Sequence, residues 1–246
     1  MQLLKVIARV LEYPTDELQA SKDALVAAVL EDNRLPRQNK EQLLRCIDLV
    51  CDGDLLDMQE NYVGTFDKGR ATSLLLFEHV HGESRDRGQA MVDLMEEYRT
   101  NGLEIDAKEL PDYLPLFLEY LSTRPWEEIR SWLEDIHHIL GLLGERLYQR
   151  ESIYHVLMDS LLVLSGREAN RRELAQIVAS EERDDTPEAL DKVWEEEMVK
   201  FVDDQGSSCS TGGVVGQRRR ELEQTQTIHL SEQLMTDAMP RQAGGA

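Results

Sequence analysis

The sequence predicts an all-α protein: a single-domain helical bundle with a flexible C-terminal tail. Three observations predict it. Leu, Glu, Ala, Gln and Arg dominate, aromatics are only 6% of the 246 residues, and β-branched residues never form alternating runs. Apolar residues recur three and four positions apart, the spacing of one helix face. Proline and glycine breaks then separate these periodic segments. Hydrophobic residues make up 41%, enough for a core.

The elements follow in order. Leu3, Leu4, Ile7, Val10 and Leu11 lie at helical spacing, and Pro14 ends that helix. Thr15 is placed to cap a second helix that turns Leu18, Leu25, Val26 and Val29 inward. After the Leu35-Pro36 break a third runs from about Gln38 to Val50, and Asp52-Gly53 turns the chain. Leu55, Met58, Tyr62 and Phe66 mark a fourth. A fifth apolar stretch begins at Ala71 and reaches the Gly82-Glu83-Ser84 break. Met91, Leu94, Met95 and Tyr98 mark a sixth helix, stopped at Asn101-Gly102. Pro111 stands where it can open a helix running through Leu121.

Next, Trp126, Ile129, Leu133, Ile136, Leu140, Leu143 and Leu147 step alternately by three and four, a heptad seam. Only three heptads long, it reads as the buried central helix of a bundle; the other reading is a dimer face. Ile153, Val156, Leu157, Leu161 and Leu164 continue the pattern, and a polar helix runs from about Arg171 to Ala179. Thr186-Pro187-Glu188 supplies a cap, a proline and an acid for a last helix carrying Leu190, Val193, Trp194, Met198 and Phe201. From Gln205 the chain becomes Gly/Ser-rich and polar, so residues 1–204 read as the helical domain and 205–246 as linker and disordered tail.

The formal charge is −21. Four arginines and four acids balance in residues 205–246, so the whole excess rests on 1–204. A cationic face for nucleic acid is missing, and an anionic membrane surface repels such a chain. The charge suits a basic partner, or simply keeps the surface solvated. Cys46, Cys51 and Cys209 are an odd set with no disulfide framework, as expected of reduced thiols in the cytoplasm. The N-terminus lacks the long apolar core of a signal peptide. No apolar run approaches the roughly 18 residues of a membrane span, so no direct membrane insertion is expected.

Catalytic motifs are absent: no nucleophile elbow, phosphate loop, HExxH or paired CxxC. One dense polar cluster runs from Phe77 to Gly88. His79 and His81, with Glu78 or Glu83, are metal-capable residue types, but positions two apart do not share a helix face. The cluster reads better as a helix end and turn tied by charged hydrogen bonds. A second constellation, Glu109 to Leu121, sets acids beside Tyr113, Phe117, Tyr120 and leucines. A groove for a basic amphipathic peptide needs that mixture; so does an ordinary core helix with its acids in water.

Three strings carry a family resemblance: Tyr62, Phe66, Asp67, Gly69 and Arg70 with the unbroken stretch 72–91; residues 109–121; and 183–197, with its Arg183-Asp184-Asp185-Thr186-Pro187. They resemble the nitrate reductase assembly chaperones, also called delta subunits, over most of 1–204. The resemblance implies an all-helical, cytoplasmic, non-catalytic chaperone without a resident cofactor or metal. It would bind the N-terminal leader-like segment of the apo nitrate reductase α subunit. It would hold that subunit for molybdenum cofactor and iron–sulfur cluster insertion before membrane anchoring, and be absent from the finished enzyme. Molybdenum cofactor biosynthesis proteins are the further partners to consider, and the chaperone would be a monomer or weak dimer. The peptide-site residues it points to are Asp112, Tyr113, Leu116, Phe117, Glu119 and Tyr120, then Tyr62, Phe66, Arg70, Glu78, His79, His81 and Glu83. Tyr113 stands where a histidine is common in the wider class, and a phenol cannot act as an imidazolium. The competing readings are a metal-dependent hydrolase using His79 and His81, and an adaptor dimerising through the Trp126–Leu147 seam.

Overall fold

The structure is a computed structural model that describes residues 1–81, 85–105, 109–167, 169–189 and 191. The chain divides into a compact unit, Met1–Leu190, and a second, Asp191–Ala246, of which only Asp191 is described. Helices α1–α12 all lie in the first, and no strand occurs among the described residues.

Helix α1 (Gln2–Val10) buries Leu3, Leu4, Ile7 and Val10 completely, against α8 (Leu114–Ser122) and α3 (Lys22–Glu31). Thr15 accepts from the Leu18 N–H at 3.2 Å and caps α2 (Asp16–Ala20), as its position predicts. The second helix is not continuous. Ser21 donates its hydroxyl to the Glu17 carbonyl at 2.7 Å and takes a non-helical ψ near 0°, so the chain restarts as α3. Helix α4 (Arg37–Asp52) buries Leu43, Cys46, Ile47, Val50 and Cys51. Desolvation pushes the Cys46 thiol up to about 12, so it is a packing residue rather than a nucleophile. Asp54 accepts from the Leu56 and Asp57 N–H groups and starts α5 (Leu55–Phe66).

The expected fifth helix is largely replaced by extended and turn structure. Only Glu78–His81 (α6) is helical. Upstream, Leu76 N–H donates to the Asp112 carbonyl at 3.0 Å, Leu114 N–H donates to the Leu74 carbonyl at 2.8 Å, and Leu75 faces Tyr113 in an isolated antiparallel bridge. An apolar run buried on both sides can satisfy its backbone this way as well as in a helix. The same pairing corrects the start of α8. Pro111 does not open it, because Tyr113 (φ −67°, ψ 117°) is held extended by its pairing with Leu75; Pro115 occupies the first turn instead. Between them, α7 (Arg85–Thr100) ends at Asn101-Gly102 as expected, with Leu103 N–H reaching the Tyr98 carbonyl at 2.9 Å.

The heptad seam is also broken. It divides at Ile136 (φ −94°, ψ 5°) into α9 (Trp126–Asp135) and α10 (His137–Gln149). Ile129, Leu133, Leu140, Leu143 and Leu147 are nonetheless buried inside the chain, where α10 packs on α11 (His155–Ser165) and α12 (Arg171–Ser180). Helix α11 in turn packs on α4 and α9. Thr186 accepts from the Ala189 N–H at 3.2 Å, the expected cap. Val193, Trp194, Met198, Phe201, Cys209 and the 204/205 boundary lie outside the described residues. Among the described residues no helix is long and apolar enough to cross a membrane.

Candidate functional site

Tyr62 on α5 is the hub of an aromatic cluster. Its ring stands edge-on to Tyr13 (centroids 5.6 Å apart) and Tyr154 (6.2 Å), and against Phe66 (4.9 Å), which also meets Tyr154 at 5.0 Å. The Tyr62 hydroxyl donates to the Leu11 carbonyl at 2.9 Å and lies 3.4 Å from the Tyr113 hydroxyl. Burial first, then the Tyr113 phenol, pushes Tyr62 far above the ordinary tyrosine range, so it stays a neutral donor. Tyr62 and Phe66 are buried, Tyr113 is half-buried, and Tyr13 is 45% exposed. The cluster therefore has a rigid floor and a partly open top.

Acidic charges act on this cluster. Tyr113 is pushed upward first by burial and then by the charges of Glu12, Asp67 and Glu109, against the Tyr62 hydrogen bond. Burial also raises Glu12; its ion pair with Arg9 opposes this, and Glu119 and Glu109 add to it. Glu12 after α1, Asp67 at the C-cap of α5, and Glu109 and Glu119 thus contribute to one acidic field. Tyr113 at the N-cap of α8, and Leu116 and Glu119 on it, are spaced three apart and half-buried or exposed. Phenol rings, a leucine and carboxylates together can take the apolar side chains of a peptide and pair its Arg or Lys, the latter also over a ring face.

The remaining predicted residues divide into separate groups. Asp112 is fully buried and presents no surface. One carboxylate oxygen accepts from the Phe77 N–H at 3.0 Å and stands 3.9 Å from Arg87; the other has no hydrogen-bond partner among the described residues. Burial raises its pKa, with Phe77 and Arg87 pulling the other way. The direct-contact role expected of Asp112 is thus replaced by that of a strut fixing the 74–77 segment to the N-terminus of α8. Phe117 packs on Trp132 (5.7 Å), and Tyr120 stacks on Tyr98 (4.7 Å) and bonds Glu97 and Asn101. Both are buried.

Glu78 pairs with Arg87 at 3.3 Å. His79 contacts the Ser73 carbonyl at 2.8 Å and Arg146 at 3.4 Å, and burial lowers its pKa. Arg70 is exposed at the start of the 70–73 turn. The His81 side chain and all of Glu83 lie outside the described residues. Among the described residues, no three His, Cys, Asp or Glu side chains gather as metal ligands. Sequence reasoning missed Glu12, Tyr13 and Asp67 for the open face. The signal available was an acid–aromatic pair just before the helix-ending Pro14.

Residues 32–154, which include Tyr62, Phe66, Tyr113, Leu116 and Glu119, match the family described as Nitrate reductase delta subunit. The chain is 48% identical over 217 residues to the nitrate reductase molybdenum cofactor assembly chaperone NarJ of Escherichia coli (strain K12), covering 88% of this chain and 91% of that one. It is 47% identical over 220 residues to the probable chaperone of the same description, NarW, from the same strain, covering 89% and 92%. To the probable NarJ of Bacillus subtilis (strain 168) it is 34% identical over 163 residues, covering 65% and 88%. The chain belongs to the nitrate reductase delta subunit family, the NarJ-type assembly chaperones for the molybdenum cofactor of nitrate reductase.

Proposed function

We propose that the open face around Tyr62 binds the N-terminal leader-like segment of the apo nitrate reductase α subunit in the cytoplasm. In this reading the chain holds that subunit until the molybdenum cofactor and iron–sulfur cluster are inserted, then releases it before membrane anchoring. The observation that carries the reading is a partly exposed tyrosine cluster, Tyr13, Tyr62 and Tyr113, that lies in the field of the acidic Glu12, Asp67 and Glu109. An acidic, aromatic surface is the complement of a basic amphipathic segment. The work is done by mass action: occupancy favours the insertion-competent client, and no bond of the client is made or broken. Moderate affinity follows, because a holder that must let go cannot bind too tightly.

The test is calorimetric titration of the full chain with a synthetic peptide of the α-subunit N-terminus at two salt concentrations. Micromolar or tighter binding that weakens with salt is expected, with Tyr113→Ala and Glu119→Gln each weakening it about tenfold or more. Salt-independent binding unaffected by either substitution contradicts the reading.

A further inference from the structure

We propose that Arg146 and Arg150 form a second recognition site, a clamp for an acidic peptide segment, which the chain's own residues 181–185 fill when no competitor is present. Arg146 in the last turn of α10 and Arg150 at its C-cap lie four residues apart, flanking the buried Leu147. Their side chains are only 14% and 13% exposed. Arg146 grips Glu181 as a two-pronged fork at 2.6 and 2.8 Å. Arg150 holds Asp184 at 2.7 Å, with Asp185 at 3.8 Å, and the other Asp184 oxygen accepts from the Ala71 N–H at 2.7 Å. Among the described residues, every carboxylate paired with these two arginines comes from that one short non-helical segment.

Three features mark the segment as a replaceable occupant. No side chain of residues 181–186 is buried, so polar contacts rather than apolar packing hold it. Beside it lies a partly open pocket of about 90 Å³, lined by both arginines, Ala71, Gln149 and the 181–183 stretch. Without it, among the described residues, Arg146 keeps the Ala71 carbonyl (3.0 Å) and His79, and Arg150 the Thr72 hydroxyl (2.9 Å). None of these brings a negative charge. Two half-desolvated guanidinium groups then require an anion. The resident occupant defines its chemistry: carboxylates spaced as Glu181, Asp184 and Asp185 on an extended backbone, read by two arginine forks and a backbone N–H. The clamp is opposite in sign to the Tyr62 face and independent of it.

The test uses the full chain carrying Glu181→Gln, Asp184→Asn and Asp185→Asn, with a fluorescent synthetic peptide of residues 178–189 as probe. Anisotropy should show the peptide binding this variant at least tenfold tighter than the wild type, where the tethered segment competes at about millimolar effective concentration. Salt should weaken the binding, and adding Arg146→Gln and Arg150→Gln should abolish it. A folded triple variant that binds the peptide no better than the wild type overturns the proposal. Should the triple variant not fold, hydrogen exchange on the wild type decides. Amides of 181–189 should exchange at least tenfold faster than those of α10 and faster still in salt; exchange only with global unfolding overturns the proposal.

Discussion

A carboxylate withdrawn from water destabilises a fold unless its lone pairs find donors, and Asp112 has donors for only one of its two oxygens. Its folded pKa lies above the ordinary carboxylate value, so the protonated form favours the folded state. That contribution is present below the unfolded pKa of about 4 and is lost as pH rises through the folded value. Asn keeps an acceptor for the Phe77 N–H and removes the charge. Asp112→Asn should therefore gain stability relative to wild type as pH rises from about 4 to 7, whereas Asp112→Ala should lose about 1–3 kcal/mol. Urea melts across that range check both. The sequence showed an acid beside aromatics in residues 109–121, but not which acid faces inward. Residue 112 is one step from the partly exposed Tyr113–Leu116–Glu119 face, and a local change from extended to helical backbone decides which side it takes.

At the scale of elements, most helix starts and stops with side-chain or proline signals were legible: the Thr15 cap, the Pro14 break, the Asn101-Gly102 stop and the Thr186 cap all stand, whereas Pro111 does not open α8. The other misses share one cause. Apolar periodicity records burial, not backbone continuity, so the segment 71–77, the junction at Ser21 and the break at Ile136 all read as helix. Two glycines give direct tests. Gly166 ends α11 with φ 72°, and Gly166→Ala should cost about 1 kcal/mol or more, seen as a lowered Tm. Gly69 lies so close to the Asp184 carboxylate that an added Cβ would sit 2.6 Å from it. Gly69→Ala should thus loosen residues 181–185 without touching Arg146 or Arg150, and raise protease cleavage between 181 and 190 several-fold. Acid should act in the same direction. Burial opposes the Asp184 charge, but Ala71 and Arg150 hold its pKa below ordinary, and Arg183 does the same for Asp185. Their stabilisation is present above about pH 4 and is lost as pH falls through the depressed folded values.

Across the whole molecule, charge is what the sequence announced most plainly and located least well. A net charge of −21 favours a basic partner, but cannot say where acidic charges meet a partly exposed tyrosine cluster. That meeting joins Glu12 and Tyr13 after α1, Tyr62 and Asp67 at α5, and the 109–119 stretch, positions far apart in the chain. The 66–72 segment leads from this face to the arginine clamp: Phe66 packs under the tyrosines, and Ala71 and Thr72 bond Asp184 and Arg150. Binding of the client at the open face around Tyr62 is tested by a photo-crosslinking amino acid placed at residue 13, at residue 113 and, as a control, at the exposed Val92 position on α7, in the presence of the apo α subunit. Crosslinks are expected from positions 13 and 113 to the first residues of that subunit and none from 92. Capture of the subunit with crosslinks from 92 alone, or from none of the three, would place the client elsewhere and overturn the proposed site.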